Sequence, residues 1–518
     1  MFRNYLPNLP SQITSLFTWG WSKGLSFLPW ISRILNDWGV PIPEKGRLRF
    51  FSTLTIFFLV AFIYDILRSI KIALVVSSQD AGAEIIPFIK IWGILPGTFF
   101  FTFLFTVLVR KMGIEKVFYV MVSIFLAFFV LFITLIYPNR DALEFSGGGD
   151  YLRTVLPAGA KGFVAMVRYW HYTIFYLFSE LWGNIILNML FWGFVNEVTV
   201  FSDAKRFYSV FALSANIAPV VAGHYCLSYR GESWGDSLHF FIWSVVIAGL
   251  VLLLLFYFLN RIIAKNYIED AKNQPHHEES PTKGFSLLEC FQFVRRSRHL
   301  TYLTIVVLGY YIVYNLADIL WTDQVGQKFK GDTGALNIYL NQVSTVKGII
   351  ATCLALFVSG KVIQKFGWYP AALVTPILLA VTSMLFFLCI LFDQGFAGDV
   401  VVSLFASPFI HVVVLLGAVQ HCLVRASKYT VFDATKEMAF IPLSRQSQRM
   451  GKAVIDGIGA RIGKSGGSFI FQFLLYFLGG LSATVPYITI ITVIILIAWV
   501  FAIGRLKKEI EDKIVGPL

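Results

Sequence analysis

The chain has 518 residues, 57% hydrophobic, 17% aromatic and only 14% charged, with a mean hydropathy of +0.70. A soluble domain carries roughly 25% charged residues, so a soluble enzyme and a nucleic-acid-binding protein are excluded, and a polytopic, all-α membrane protein is expected. The net charge of +13 fits both the Lys/Arg excess of cytoplasmic loops and a transported anion.

Residues 1–46 set Trp19, Trp21, Trp30 and Trp38 among Leu and Phe. They have neither the apolar core and small-residue cleavage site of a signal peptide nor the Ser/Arg-rich composition of a transit peptide, so an interfacial amphipathic segment is expected, ended by Pro41 and Pro43. Six spans then follow: Phe50 to Ile66, Ile86 to Val109 (interrupted by Lys90 and Pro96), Val117 to Tyr137, Trp170 to Phe194 (with Glu180 inside), Tyr208 to Cys226 and Phe240 to Leu259. The loop Pro138 to Lys161 is polar, and its Gly147-Gly148-Gly149 reads as a turn. A hydrophilic linker, Asn260 to Leu300, carries His276 and His277 beside Glu278 and Glu279, which reads as solvated polarity rather than a metal site. Six more spans are Tyr302 to Leu320, Val346 to Val362, Ala371 to Leu391, Val400 to Val424, Ser468 to Leu478 and Tyr487 to Ile503. The five cysteines, Cys226, Cys290, Cys353, Cys389 and Cys422, have neither metal-ligand nor disulfide spacing, and no cofactor is called for.

The halves look related. Arg110-Lys111-Met112-Gly113 matches Gln364-Lys365-Phe366-Gly367 at an offset of 254, and Tyr64 matches Tyr314 at 250. Two similar offsets across a polar linker predict a six-plus-six repeat. The expected division is 1–46 interfacial, 47–259 N-terminal bundle, 260–300 cytoplasmic linker, 301–504 C-terminal bundle and 505–518 cytoplasmic tail. Basic residues crowd the loop after the second span, the linker and the tail, which places both termini in the cytoplasm.

The stretch Ser427 to Ser468 breaks the apolar pattern. It carries Lys428, Lys436, Arg445, Arg449, Lys452, Arg461 and Lys464 against Asp433, Glu437 and Asp456. Read as a cationic, Gly-rich entry into the eleventh helix, it offers backbone N–H groups and Lys464 to an anion; read plainly, it is a solvated basic loop. It is not a Walker A loop, because the Gly required five residues before Gly463-Lys464 is Ile458. Lys71, Glu180, Asp318 and Lys464 all lie in or beside apolar spans. Charges at a helix centre cost roughly 2.5–3.5 kcal/mol each to insert, so four of them on helices one, four, seven and eleven point to a shared water-filled pathway. The lysines would hold phosphate oxygens, with the acids as counter-charges or as proton carriers. Arg68 and Arg461 complete the candidate substrate-binding set, and Asp65 is expected to pair with Arg68 across one helical turn.

KYTVFDATKEMAFIPL and GKAVIDGIGARIGKSGGS in that stretch, AGAEIIPFIKIW ending at Trp92, and SELWGNIILNMLFWGFVNEVT from Ser179 resemble the ATP/ADP translocase family of obligate intracellular bacteria and plastids. The likeness runs over nearly all the chain after residue 46. It implies twelve transmembrane helices in two six-helix bundles of the major facilitator type, a nucleotide substrate, the lipid bilayer as surroundings, and family functional charges at Lys71, Glu180, Asp318 and Lys464. Members that exchange ATP for ADP tend to carry LRDTKDTL where this chain has Leu67-Arg68-Ser69-Ile70-Lys71-Ile72-Ala73-Leu74, and V-E-V-T-W-K where it has Ala317-Asp318-Ile319-Leu320-Trp321-Thr322. These departures favour import of several ribonucleoside phosphates by antiport or proton symport, with strict ATP/ADP antiport as the alternative. A membrane-embedded enzyme or a nucleotide receptor is the alternative of another class. The expected location is a bacterial inner membrane, ahead of a plastid envelope.

Overall fold

In lipid a backbone finds hydrogen-bond partners only in itself, so long apolar runs become helices. The computed structural model describes residues 47–77, 82–198, 201–229, 231–260, 287–357, 359–393 and 409–515, and every regular element among them is helical. In chain order these are α1 (Arg47–Val76), α2 (Gly82–Ile136), α3 (Ser146–Val155), α4 (Lys161–Arg168), α5 (Trp170–Val195), α6 (Phe201–Ser228), α7 (Trp234–Phe258), α8 (Leu287–Arg296), α9 (Arg298–Lys328), α10 (Thr333–Phe357), α11 (Ser359–Phe366), α12 (Trp368–Asp393), α13 (Ile410–Phe440), α14 (Arg445–Lys452), α15 (Ala460–Leu478) and α16 (Leu481–Val515).

Eight of them are long and apolar enough to cross a membrane: α1, α2, α5, α7, α9, α12, α13 and α16. α2 breaks at Gly113, whose φ of 79° and ψ of 160° leave the helical region, so its two limbs are the separate helices expected from the sequence. Gly367, between α11 and α12, has the same φ of 79°. Neither glycine has anything within 4 Å of where a Cβ would sit, so backbone conformation, not space, requires glycine at both repeat-matched positions.

α6, α10 and α15 are 28, 25 and 19 residues long but more polar, because they bury polar groups inside the protein: Asn216 on α6, Asn337, Asn341 and Lys347 on α10, and Ser468 on α15. This corrects the sequence reading. α10 starts at Thr333 rather than Val346, since its first turns are polar yet buried. Ser427 to Ser468 is not a loop: α13 continues to Phe440, and α14 leads through a wide π turn, Ala453–Gly459, into α15. Gly147–Gly149 lie in α3 rather than a turn, and the basic tail residues from Arg505 ride on α16. The segment 1–46, the His276–Glu279 stretch and the first turns expected for helix ten lie outside the described residues.

Within each half, a buried tryptophan ties two helices together. Trp182 on α5 donates to the Val60 carbonyl of α1 at 3.1 Å, and Trp321 on α9 donates to the Val414 carbonyl of α13 at 3.1 Å. The halves meet along α6 and α10, where a Cβ on Gly223 would lie 2.8 Å from the Asn341 carbonyl and one on Gly348 would lie 3.0 Å from the Asn216 carbonyl. Small residues thus let these backbones approach closely. At the end where α1 finishes and α2 begins, the halves also close on each other. Gln472 donates to the Pro87 carbonyl (2.8 Å), the Leu481 amide donates to Glu84 (3.3 Å), Gly159 abuts the Leu475 backbone, and Gly326 abuts Val76.

Candidate functional site

α1 carries Asp65, Arg68 and Lys71 at three-residue spacing, which keeps them on neighbouring parts of one helix face. That face points inward: Asp65 is 8% exposed and Lys71 3%. The Lys71 ammonium forms an ion pair with Glu180 of α5 and lies over the rings of Tyr176 (4.7 Å) and Tyr64 (5.8 Å). The aromatic faces favour the cation electrostatically, and the carboxylate supplies its counter-charge.

Asp318 of α9 is shared. Its carboxylate is 3.6 Å from the Lys90 ammonium of α2 and 3.9 Å from Nε2 of the buried His421 on α13. The His421 ring lies 4.4 Å from that of Trp321 and 5.5 Å from that of Tyr314. The Arg68 charge acts on the Tyr314 side chain of α9. Arg68 has no ion pair with Asp65 among the described residues, so the expected one-turn pair does not form. The strongest cation acting on Asp65 is instead Arg425 of α13, followed by Arg68 and by Lys347 of α10. Tertiary packing accompanies the change: α1 meets α9 and α10, and among the described residues no cation comes within ion-pair distance of Asp65.

Lys464 lies four residues inside α15, its ammonium 5.6 Å from the centre of the Tyr311 ring. Its charge acts on Glu180, together with those of Lys71 and Lys90. It does not stand at a free helix N-terminus. Gly459 is helical, and the Ala460 amide already bonds the Ile455 carbonyl, so the anticipated cradle of open N–H groups is absent there. Three of the seven basic residues in the surrounding stretch pair with its three acids, through Lys428–Asp433 (2.8 Å), Lys436–Asp456 (2.7 Å) and Lys452–Glu437 (2.5 Å). Arg461 is exposed and has no ion pair among the described residues.

The structure therefore links Lys71, Glu180, Asp318, Arg68 and Lys464 electrostatically and leaves Arg461 apart. Sequence reading saw Lys90 only as an interruption, and it did not single out Lys347, His421 or Arg425. One signal was available: His421, Arg425 and Lys428 stand at i, i+4 and i+7 on one face of an otherwise apolar helix. A second is visible only in the fold. Lys90, Glu180, Lys428 and Lys464 each lie in or within five residues of a π turn, Ile89–Ile94, Trp182–Phe191, Lys428–Phe432 or Ala453–Gly459. Such turns re-aim side chains and recur at functional sites.

With Lys71–Glu180, Lys90–Asp318 and Lys428–Asp433 paired, Arg68, Lys347, Arg425 and Lys464 remain against the single carboxylate of Asp65. That leaves three formal positive charges in excess; Lys347 is buried, Arg68 and Arg425 are half-buried and Lys464 is exposed, and unpaired charge is expensive wherever it is shielded from water. The chemistry suited to such a site is neutralisation by a multiply charged anion. The groove of about 530 Å³ between α6 and α7, lined by Tyr225, Phe240 and Trp243 among others, contains none of these residues.

A bundle of membrane helices with a charged centre is a transporter architecture. The fold is that of a bacterial homologue of the iron transporter ferroportin solved in an inward-facing state (TM-score 0.53, 12% identity, covering 89% of this chain and 98% of that one) and of a bacterial metal transporter (TM-score 0.51, 11% identity, 90% and 99%). The sequence narrows this. The chain matches the family described as TLC ATP/ADP transporter over residues 35–510, and it belongs to that family. It is 35% identical to ADP,ATP carrier protein 1 of Chlamydia pneumoniae over 466 residues, 87% of this chain and 89% of that one. It is 30% identical to ADP,ATP carrier protein 4 of Rickettsia felis over 527 residues (98% and 98%), and 34% identical to the chloroplastic ADP,ATP carrier protein 1 of Arabidopsis thaliana over 465 residues (88% and 73%). The chain is thus a membrane transporter and not an enzyme.

Proposed function

We propose that this protein exchanges nucleoside polyphosphates, ATP and ADP foremost, across a bacterial inner membrane. The excess of three positive charges, from Arg68, Lys347, Arg425 and Lys464 against Asp65, carries this reading. It nearly matches the charge of ADP or ATP, and the Lys71–Glu180 pair offers a cation that a phosphate can take over from a carboxylate. The carrier names of the relatives support the same substrate. Lys71, Lys464 and Arg68 contact phosphates, while Glu180 and Asp318 hold cations in the empty site.

The architecture in this reading is twelve crossings in two six-helix bundles of the major facilitator type. The eight apolar stretches, with α2 counted as two limbs, are joined by the more polar α6, α10 and α15. Both termini face the cytoplasm, so the sealed end holding Glu84, Gln472 and Leu481 faces outward, and substrate enters and leaves by alternating access. Proton-coupled import of a wider set of ribonucleotides is the second reading, favoured by the His421–Asp318 approach of 3.9 Å, a titratable couple at the centre.

Proteoliposomes decide between them. Uptake of labelled ATP that requires internal ADP and ignores a protonophore supports exchange. Uptake without internal nucleotide that collapses with the protonophore supports proton coupling. Chemically altered label, or binding without flux, rejects both.

A further inference from the structure

The Lys71–Glu180–Lys464 group does not account for all the charge between the halves. On the same α1 face, one turn before Lys71, lies Arg68. From the other half, α10, which packs against both α1 and α13, brings Lys347, only 6% exposed, and α13 brings Arg425, whose Nε is buried without a hydrogen-bond partner. Among the described residues neither Lys347 nor Arg425 has a carboxylate within ion-pair distance. The charges acting on Lys347 include two guanidiniums, Arg68 and Arg425, and the more weakly felt acids Asp65 and Asp318. Three cations that repel one another are held together with one shared carboxylate, Asp65, among them. Packing alone would not select this, because an apolar residue at 347 would pack on α6 and α1 without the repulsion. A built site for an anion would.

Resting on the nucleotide reading above, we infer that Lys347, Arg425 and Arg68 form a second phosphate subsite that reads the length of the polyphosphate chain. One helical turn separates Arg68 from Lys71, about 4.5 Å along the axis at 1.5 Å per residue, within the reach of consecutive phosphates. A polyphosphate anchored at Lys71 and Lys464 extends into the cluster. A monophosphate fills the anchor and stops short. In the empty carrier Asp65 is the local counter-charge.

The test is a competition series on the full-length transporter in proteoliposomes: unlabelled AMP, ADP, ATP and inorganic tripolyphosphate against labelled ATP, for wild type, Lys347→Gln, Lys347→Arg and Arg425→Gln. The expected result for Lys347→Gln is a graded loss: inhibition by ATP and tripolyphosphate weakened tenfold or more, ADP less, and AMP within about twofold of wild type. Lys347→Arg should restore most of the ATP affinity. An equal loss for all four competitors, or no loss, overturns the subsite. If Lys347→Gln fails to accumulate, Arg425→Gln, on a half-buried side chain, carries the same comparison. A wild-type protein that binds no nucleotide would instead defeat the function reading, so the two failures are separable.

Discussion

Glu180→Gln isolates the role of the Lys71–Glu180 pair. Lys71 is 3% exposed and Glu180 24%, so the pair is largely shielded from solvent. Unit charges about 4 Å apart interact by about 4 kcal/mol at an effective dielectric near 20; solvent reaching the quarter-exposed Glu180 lowers the competing attraction to about 2 kcal/mol. An incoming phosphate must overcome that attraction to take Lys71. The amide removes the competition while keeping the shape, so ATP affinity should rise roughly 30-fold. Turnover should fall, because the carboxylate no longer reclaims Lys71 as product leaves. The ligand-free protein should also be less stable, by up to about 3–5 kcal/mol for a stranded buried charge, and ATP should raise its melting temperature by more than it raises that of wild type. Equilibrium binding of labelled ATP to purified protein, exchange in proteoliposomes and thermal melts with and without ATP measure the three quantities. ATP binding that weakens in Glu180→Gln, with an unchanged ligand-induced thermal shift, would refute the argument that the carboxylate and the phosphate compete for one ammonium.

Other outcomes follow from the same geometry. Lys464→Ala should abolish uptake and Lys71→Ala weaken it severely; normal uptake at matched expression in both would remove the anchor from the site. Replacing Gly113, whose φ of 79° and ψ of 160° lie in a region essentially confined to glycine, should cost about 1–3 kcal/mol for Ala and Asn alike; an unchanged melting temperature in Gly113→Ala would refute the backbone argument. Gly348→Ala should lower stability by about 1–3 kcal/mol, because its Cβ would meet the Asn216 carbonyl at 3.0 Å and Val220 at 2.8 Å, and exchange should slow because this contact joins the halves. Asp318→Asn should loosen Lys90 and release His421 from its acid, and the pH dependence of uptake should change only if protons are coupled; an identical profile counts against the second reading.

How much of this was legible in the chain differs from helix to helix. α1, α7, α12 and α16 announce themselves as apolar runs because one side meets lipid. α10 announced only its second half, from Val346, since Asn337 and Asn341 in the first half are buried yet polar, and a hydropathy reading equates polar with wet. The same error turned the end of α13 and the start of α15 into a loop: their charges pair across helices, as Lys436 does with Asp456, and pairing between residues 20 apart leaves no periodic trace. At the centre, the isolated charges Lys71, Glu180, Asp318 and Lys464 could be picked out because each interrupts apolar sequence. Their partnerships could not. That Asp318 meets Lys90, and that the Arg68 charge acts on Tyr314, depends on how one half docks on the other.

The position of Asp318 between Lys90 and His421 has a kinetic consequence. Lys90 belongs to the first half of the chain and His421 to the second, so any rocking that parts the halves stretches one contact and spares the other. An unloaded carrier that reorients must strand Lys90 in a poorly solvated interior, whereas a passenger carrying several negative charges can screen that ammonium throughout the swing. The barrier to an empty return stroke would then be built into one carboxylate, and a one-for-one swap would need no separate latch.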